Sequence, residues 1–225
     1  MRPAAVGAVF LAVGAAWSPA VAFDLPGDPA EALARLEAQL LASPAVSVDY
    51  IVRASGAFDS DLAGRLELAP DRIRLDGRGK FGDSPADLAL TQTAERLAGS
   101  NGEAGFDLPA APATEAALIV GLVRMGILHN LARLVAGRPP DHADGGAAEW
   151  VTVHDVAWEA VRNWDSGPAR GLSFRIRVSG TDSGHATLWL SLADGLPTAR
   201  EQTVRFPGGE MQVLERYPRF EVAAN

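Results

Sequence analysis

The sequence predicts an α+β protein that is mainly β, built on one antiparallel sheet of about nine to eleven strands. Two observations predict it. Apolar and polar residues alternate over many short runs that are separated by turn residues, which is the pattern of half-buried strands joined in hairpins. Two segments instead follow helical spacing, one near the start of the chain and one in its middle. We therefore expect these two helices to pack against the concave face of a curved sheet.

The chain begins with a segment typical of a cleavable signal peptide. Arg2 provides the positively charged N-terminal region, residues 6–17 form a short apolar run, and Ala20-Val21-Ala22 is a small-residue cleavage site. The apolar run is shorter than the roughly 20 residues that a membrane-spanning helix needs. We expect residues 1–22 to be removed on export to the periplasm and residues 23–225 to form a single soluble domain, not an integral membrane protein.

Composition excludes several classes of function. The chain has 225 residues and no cysteine, so disulfides, thiolate catalysis, thiolate metal sites and lipid attachment through cysteine are ruled out. Its formal net charge is −8, which argues against a nucleic-acid partner and against adhesion to anionic membranes.

The first helix is predicted by an N-cap residue and by a stripe of apolar residues at helical spacing. Asp28 is a good N-cap, Pro29 suits the first helical position, and Ser43-Pro44 ends the segment. The apolar residues at helical spacing are Leu33, Leu36, Leu40 and Leu41. We expect this stripe to face the core.

The next part of the chain alternates with period two. Residues 46–52, 62–68 and 73–75 read as half-buried strands, and Pro70-Asp71 joins the last two in a hairpin. Residues 88–97 add one or two strands with weaker alternation.

The central segment, residues 114–136, is strongly apolar. Thr114 suits an N-cap, and Gly137 suits the position just past the end. The strongly polar residues after Glu115 are Arg124, His129, Asn130 and Arg133. We expect one continuous helix that is buried or faces a ligand or lipid, because so apolar a helix does not lie on a wet surface.

The C-terminal third returns to alternation. The predicted strands cover residues 172–178, 186–192, 198–206, 211–217 and 220–222. The turns between the first four fall at residues 180–184, 194–195 and 207–209, which are rich in Asp, Ser and Gly. Consecutive hairpins at this spacing predict a meander with one covered face.

Two stretches carry a family resemblance. Residues 88–118, "LALTQTAERLAGSNGEAGFDLPAAPATEAAL", and residues 172–206, "LSFRIRVSGTDSGHATLWLSLADGLPTAREQTVRF", resemble the LolA/LolB-like periplasmic lipoprotein-carrier superfamily, including its relatives known as domains of unknown function. The resemblance implies a curved half-barrel sheet that wraps helices around an apolar cavity. Carriers of this kind shelter acyl chains there, and a related regulatory domain senses envelope stress by binding a partner protein.

The resemblance leads us to expect a non-enzymatic, carrier-like binding protein whose partner is a lipid, an acyl chain or a lipoprotein. The alternative is an envelope protein-interaction or regulatory module with a closed core. Arg124 has two interpretations, a contact with an acidic head group or a pairing with water or a carboxylate. The candidate cavity residues are Val52, Leu122, Met125, Ile127, Leu172, Phe174, Ile176, Val178, Leu188, Leu190 and Leu192.

No sequence motif indicates catalysis, a cofactor or a metal site. The histidine–carboxylate groups at residues 141–144 and 154–155 lack a metal-ligand spacing, and we interpret them as solvated loop residues. Residues 181–185 resemble a serine-protease nucleophile loop only superficially and are better explained as a hairpin turn. The run at residues 141–148 is expected to be a loop.

The four tryptophans after the signal segment have two interpretations, a ligand site or plain core, and the core interpretation is favoured. Trp189 falls on the strand face opposite Leu188 and Leu190, so it must be either exposed or covered by another element. The four are Trp150, Trp158, Trp164 and Trp189.

Overall fold

The computed structural model describes residues 23–139 and 147–224. The helices of this part are α1 (Pro29–Ala42), α2 (Thr114–Val120), a π-helical turn (Gly121–Met125), α3 (Ile127–Val135) and α4 (Ala147–Trp150). The strands are β1 (Val46–Gly56), β2 (Ser60–Ala69), β3 (Arg72–Phe81), β4 (Ser84–Gln92), β5 (Arg96–Ser100), β6 (Gly105–Pro109), β7 (Val151–Trp164), β8 (Gly167–Val178), β9 (Thr181–Ser191), β10 (Pro197–Phe206) and β11 (Gly209–Val222).

The eleven strands form one antiparallel sheet in the order β6-β5-β4-β3-β2-β1-β11-β10-β9-β8-β7. Only the β1–β11 neighbours are not consecutive in sequence, so two meanders meet at the centre of the sheet. The sheet is open, because β6 and β7 each pair on one side only. The predicted fold class, a mainly β protein with helices on one face of an antiparallel sheet, is confirmed. The expected signal segment lies outside the described residues.

The alternation of the strands produces a single core on the inner face, the face against which the helices pack. In β1 the inward residues are Val46, Val48, Tyr50 and Val52, and all four are buried. The equivalent leucines of β2 to β4 and the apolar residues of β8 and β9 join them in one cluster with the helices. Each fully buried side chain of this kind contributes about 1.5–3 kcal/mol, so the strand pattern largely determines which face is covered.

Helix α1 begins as predicted. The side chain of Asp28 accepts hydrogen bonds from the backbone N–H groups of Ala30 (2.8 Å) and Glu31 (3.4 Å), and Ser43 is the C-cap. One part of the predicted stripe is wrong, because Leu41 is 43% exposed. Each residue of a helix is turned by about 100° from the one before it, so Leu41 points away from the face on which Leu36 and Leu40 are buried.

Strand β7 was not predicted, although its 14 residues make it as long as any other strand. Two register shifts, between His154 and Ala157 and between Trp158 and Val161, interrupt the alternation that would have marked it. Bulges of this kind are common on edge strands, where they discourage pairing with another chain. The short edge strand β6 was likewise missed.

Two loop predictions need correction. The β8–β9 turn is confined to Ser179 and Gly180, whose φ values of 47° and 79° are those of a tight two-residue hairpin, and Thr181 already begins β9. The loop expected at residues 141–148 ends earlier than predicted, because α4 begins at Ala147. Residues 140–146 lie outside the described part of the chain.

The prediction of one continuous central helix is wrong. Helix α2 runs into the π-helical turn, the chain then breaks at Gly126, and α3 begins at Ile127. Gly126 has φ 85° and ψ 163°, a conformation that side-chain-bearing residues rarely adopt. Thr114 is the first residue of α2, not its N-cap, and its hydroxyl donates to Gln92 Oε1 (2.7 Å) or Ala111 O (2.9 Å). Gly137 follows α3 at φ 65°, as predicted.

Replacing Gly126 with alanine should destabilise the protein strongly. The new methyl group would strain the backbone, at a cost of about 1–3 kcal/mol, and would lie 2.5 Å from Glu215 Oε1. Gly137→Ala is the matched control, because Gly137 also has positive φ but no atom within 4 Å of the added Cβ. Urea unfolding should show the larger loss for Gly126→Ala; equal losses would mean that the contact with Glu215 is unimportant.

Candidate functional site

A buried pair of opposite charges lies beneath the break at Gly126. Arg200 of β10 and Glu215 of β11 are register partners on the inner face, and both residues are 0% exposed. All three nitrogens of the guanidinium group donate hydrogen bonds: Nη1 to Val123 O (2.9 Å), Nη2 to Arg124 O (2.7 Å) and Nε to Gln202 Oε1 (2.7 Å). Arg200 therefore satisfies the carbonyl groups at the end of the π-helical turn.

Glu215 acts on the other side of the break. Its carboxylate accepts hydrogen bonds from the backbone N–H groups of Ile127 (3.0 Å) and Leu128 (2.9 Å), the first two residues of α3. It also accepts one from the Tyr217 hydroxyl. The first N–H groups of a helix have no intrahelical partner, and the helix dipole favours a negative charge there. Glu215 thus caps α3 from the sheet.

Burial dominates the electrostatics of this cluster. It lowers the pKa of Arg200, and the nearby negative charge of Glu215 opposes that effect. Burial, and next the proximity of Glu215, raise the pKa of Tyr217 well above its ordinary value. Burial also raises the pKa of Tyr50, assisted by Asp76 and Glu215, and the Tyr50 hydroxyl donates to Asp76 O. Both tyrosines therefore stay neutral, consistent with their roles as hydrogen-bond donors.

A cleft of about 190 Å³ lies beside this cluster, between the helical segment and strands β10 and β11. On the helical side it is lined by Met125, Leu128, His129 and Ala132. On the sheet side it is lined by Gln202, Val204, Phe206, Met211 and Val213, with Phe58 from the β1–β2 turn. None of these described lining residues is Asp, Glu, Lys or Arg, so the cleft suits an uncharged apolar group.

The predicted cavity residues occupy three kinds of position. Met125 is half-buried and lines the cleft. Val178 and Leu192 are also half-buried, at or beyond the ends of β8 and β9. The other eight are buried side chains of one packed core: Val52, Leu122, Ile127, Leu172, Phe174, Ile176, Leu188 and Leu190. The ligand role of all eleven remains a prediction.

Arg124 makes contacts that favour its pairing with a carboxylate. Its Nε donates to Glu37 Oε2 of α1 (2.7 Å), and its Nη1 donates to the Val151 carbonyl oxygen (2.7 Å). The Arg124 and Glu37 side chains are 19% and 14% exposed. The residue thus ties α1, the π-helical turn and β7 together, and the proposed head-group contact stays a prediction.

Sequence reasoning missed Arg200, Gln202 and Glu215. A signal for them exists in the alternation itself, since Arg200 and Gln202 share the face of Val204, and Glu215 shares the face of Val213. Polar residues at inward positions of two successive strands indicate a buried polar cluster, because such groups need partners away from water.

The interpretation of His154 and Asp155 as loop residues is wrong, because both lie in strand β7. The ring nitrogens of His154 lie 3.2 Å from Asp155 Oδ2 and 3.2 Å from Asp182 Oδ1. The hydrogen bonds from His154 and Arg177 lower the pKa of Asp182. Residues 141–144 lie outside the described part of the chain. Among the described residues, no three His, Asp or Glu side chains are grouped as metal ligands would be.

The tryptophans divide between the two faces. Trp150 packs against His129, with ring centres 4.9 Å apart, and Trp158 Nε1 donates to Gly27 O (3.1 Å). Trp189 is buried on the outer face, covered by Trp164 and held by Glu201, which accepts from its Nε1 (3.1 Å). Of the two expected alternatives for Trp189, exposure or cover by another element, the second is therefore correct.

Comparison with known proteins gives likenesses of fold. The chain matches no protein-family model and no curated protein sequence. An uncharacterized conserved protein from Thermus thermophilus has 12% identity and a TM-score of 0.46, over 87% of this chain and 88% of that one. MucB, in the Pseudomonas aeruginosa MucA/MucB complex, has 16% identity and a TM-score of 0.44, over 88% of this chain and 58% of that one.

A LolA superfamily protein from Nitrosomonas europaea has 9% identity and a TM-score of 0.30, over 86% of this chain and 92% of that one. No helix in the described residues is long and apolar enough to cross a membrane.

The chain's two tyrosines, Tyr50 and Tyr217, allow a test of the buried cluster. Because their pKa is raised in the native state, the tyrosine hydroxyl groups lose their protons at lower pH in the unfolded chain, at about pH 10. The free energy of unfolding should therefore fall as pH rises above that value. An ultraviolet titration should detect no tyrosinate in the native protein where the urea-unfolded protein ionises fully. A native tyrosine that titrates like a free one would contradict the burial of the cluster.

Proposed function

We propose that this chain is an exported periplasmic binding protein that takes part of the apolar chain of a lipid or acylated protein into the cleft between α3 and strands β10 and β11. It binds without catalysing a reaction. The observation that carries the proposal is the cleft itself, whose described lining contains apolar side chains from both layers and no Asp, Glu, Lys or Arg. The sequence resemblance to lipoprotein carriers supports the same function.

The energetics favour an acyl chain over a polar ligand. Each methylene group transferred from water into an apolar site contributes about 0.8 kcal/mol. Phe58 and Phe206 are partly buried, with ring centres 6.3 Å apart, and both belong to the cleft lining at the turns. Their remaining exposed surface would be covered by a bound chain, which adds to the favourable free energy of binding.

A second function is favoured by a different observation. Eight of the predicted cavity residues are buried in the packed core between the helical segments and the sheet, which is what a regulatory or protein-interaction module with a closed core would show. Lipid extraction from protein purified from the periplasm, followed by mass spectrometry, distinguishes the two functions. A stoichiometric acyl species supports the carrier-like function, and its absence under gentle purification favours the regulatory module.

Filling the cleft should block binding without unfolding the protein. Ala132 of α3 is half-buried in the cleft wall, so Ala132→Trp should weaken binding of the neutral fluorescent probe N-phenyl-1-naphthylamine by about tenfold or more, equivalent to about 1.4 kcal/mol. Ala116→Trp is the control, because Ala116 is exposed on α2 and lies outside the cleft.

A closed site would respond differently. If Ala132→Trp lowers the free energy of unfolding by about 1–3 kcal/mol, as overpacking does, and wild-type protein fails to bind the probe, the carrier-like function is wrong.

A further inference from the structure

The turn between β5 and β6 contains the one Asn-Gly pair of the chain, Asn101 and Gly102. The turn joins Ser100, the last residue of β5, to Gly105, the first residue of β6. Asn101 is partly buried and Gly102 is exposed. An Asn-Gly pair is chemically labile, because the backbone nitrogen of the glycine can attack the side-chain carbonyl carbon of the asparagine. Glycine has no side chain to hinder that approach.

The Asn101 amide is oriented by three hydrogen bonds. Its Oδ1 accepts from the backbone N–H groups of Glu103 (3.0 Å) and Ala104 (2.7 Å). A backbone N–H group only donates, so the atom that faces these two groups is the amide oxygen and the opposite branch is the nitrogen. That nitrogen, Nδ2, donates to Val135 O (2.9 Å), in the last residue of α3. Asn101 therefore ties the β5–β6 turn to the C-terminal end of α3.

The same contacts favour attack on the Asn101 side chain. Ring closure places a negative charge on Oδ1, and N–H donors at these distances stabilise such an oxyanion. The attacking nitrogen must lose its proton. The Gly102 N–H group donates to Ser100 Oγ (3.1 Å), and Ser100 is exposed, so its hydroxyl group can pass the proton to water.

We propose that Asn101 is a modification site, at which the folded protein undergoes deamidation and thereby releases the C-terminal end of α3. The Gly102 nitrogen forms a bond to Asn101 Cγ, and the Cγ–Nδ2 bond breaks. Nδ2 leaves as ammonia, with the proton that the Gly102 nitrogen has lost. The product is a cyclic succinimide, which a water molecule opens to aspartate or isoaspartate. Water is the only other reactant, and the reaction is independent of the ligand proposed for the cleft.

The product cannot keep the contact with α3. A carboxylate has no hydrogen to donate, so Val135 O would face a negatively charged oxygen. The helix dipole is also negative at this end, where the last carbonyl groups lack an intrahelical partner. Repulsion therefore replaces the hydrogen bond. Because α3 supplies Leu128, His129 and Ala132 to the cleft, the modification acts on one wall of it.

The chemical step is tested by incubating the mature protein in mildly alkaline buffer and following each asparagine by peptide mapping and mass spectrometry. We expect Asn101 to become a mixture of aspartate and isoaspartate at least as fast as in a synthetic peptide of residues 96–107. Asn163 is the internal control, because it is exposed but is followed by the bulky Trp164, and it should stay intact. An intact Asn101 in the folded protein, at a time when the peptide is converted, would overturn the proposal.

The structural step is tested with Asn101→Asp, which removes the donor and adds the negative charge. The Ala136 and Gly137 amides donate to carbonyl groups of α3. We expect them to exchange with deuterated water about tenfold faster in the variant, the ratio that the loss of one net hydrogen bond supports. Asn163→Asp is the matched control, because it adds the same charge in the β7–β8 hairpin; it should leave these two amides unchanged.

The two steps can fail separately. Unchanged exchange at Ala136 and Gly137 in Asn101→Asp would overturn the release of α3, even if Asn101 deamidates. If Asn101→Asp does not fold, the deamidated fraction of the wild-type protein is used in its place. This fraction carries an additional negative charge, so ion exchange separates it from the unmodified protein, and its amide exchange is measured and judged in the same way.

Discussion

The arrangement of the helices over the sheet depends on the buried pair Arg200 and Glu215. Two charges removed from water are expensive unless each is fully hydrogen-bonded, and here the partners are the backbone groups on either side of Gly126. Arg200 satisfies the carbonyls that precede the break, and Glu215 satisfies the N–H groups that follow it. The break is therefore stabilised by the same contacts that the charges require, and removing either partner would leave the other uncompensated.

The cleft follows from this constraint. Because Glu215 fixes the first turn of α3 above β11, the side chains of Leu128 and Ala132 lie opposite the β10–β11 hairpin, whose inward residues next to the turn are apolar. The rest of the inner face is filled by α1, α2, the other side of α3 and the core leucines. The same pair thus positions both the apolar walls of the cleft and, through Arg200, the side chain of Gln202.

The sheet and α1 were predictable because period-two alternation and capping are local signals, as the runs at β1–β3 and the Asp28 cap illustrate. Strand β7 was missed because its bulges erase the alternation. The break at Gly126 was missed because residues 114–136 carry a helical composition, and what interrupts the helix is a contact with β10 and β11, far away in sequence. The cleft depends on that contact, so only Met125 among the predicted ligand residues lines it.

Hydrogen exchange of the wild-type amides at the start of α3 tests this account most directly. First-turn amides normally exchange quickly, because they lack an intrahelical acceptor. The Ile127 and Leu128 amides should instead be protected to nearly the free energy of global unfolding, since each donates to the buried Glu215 carboxylate. The Glu115 and Ala116 amides of α2, which has no side-chain cap, are the internal comparison. Fast exchange at Ile127 and Leu128, equal to that at Glu115 and Ala116, would contradict the claim that the buried pair holds the helix break.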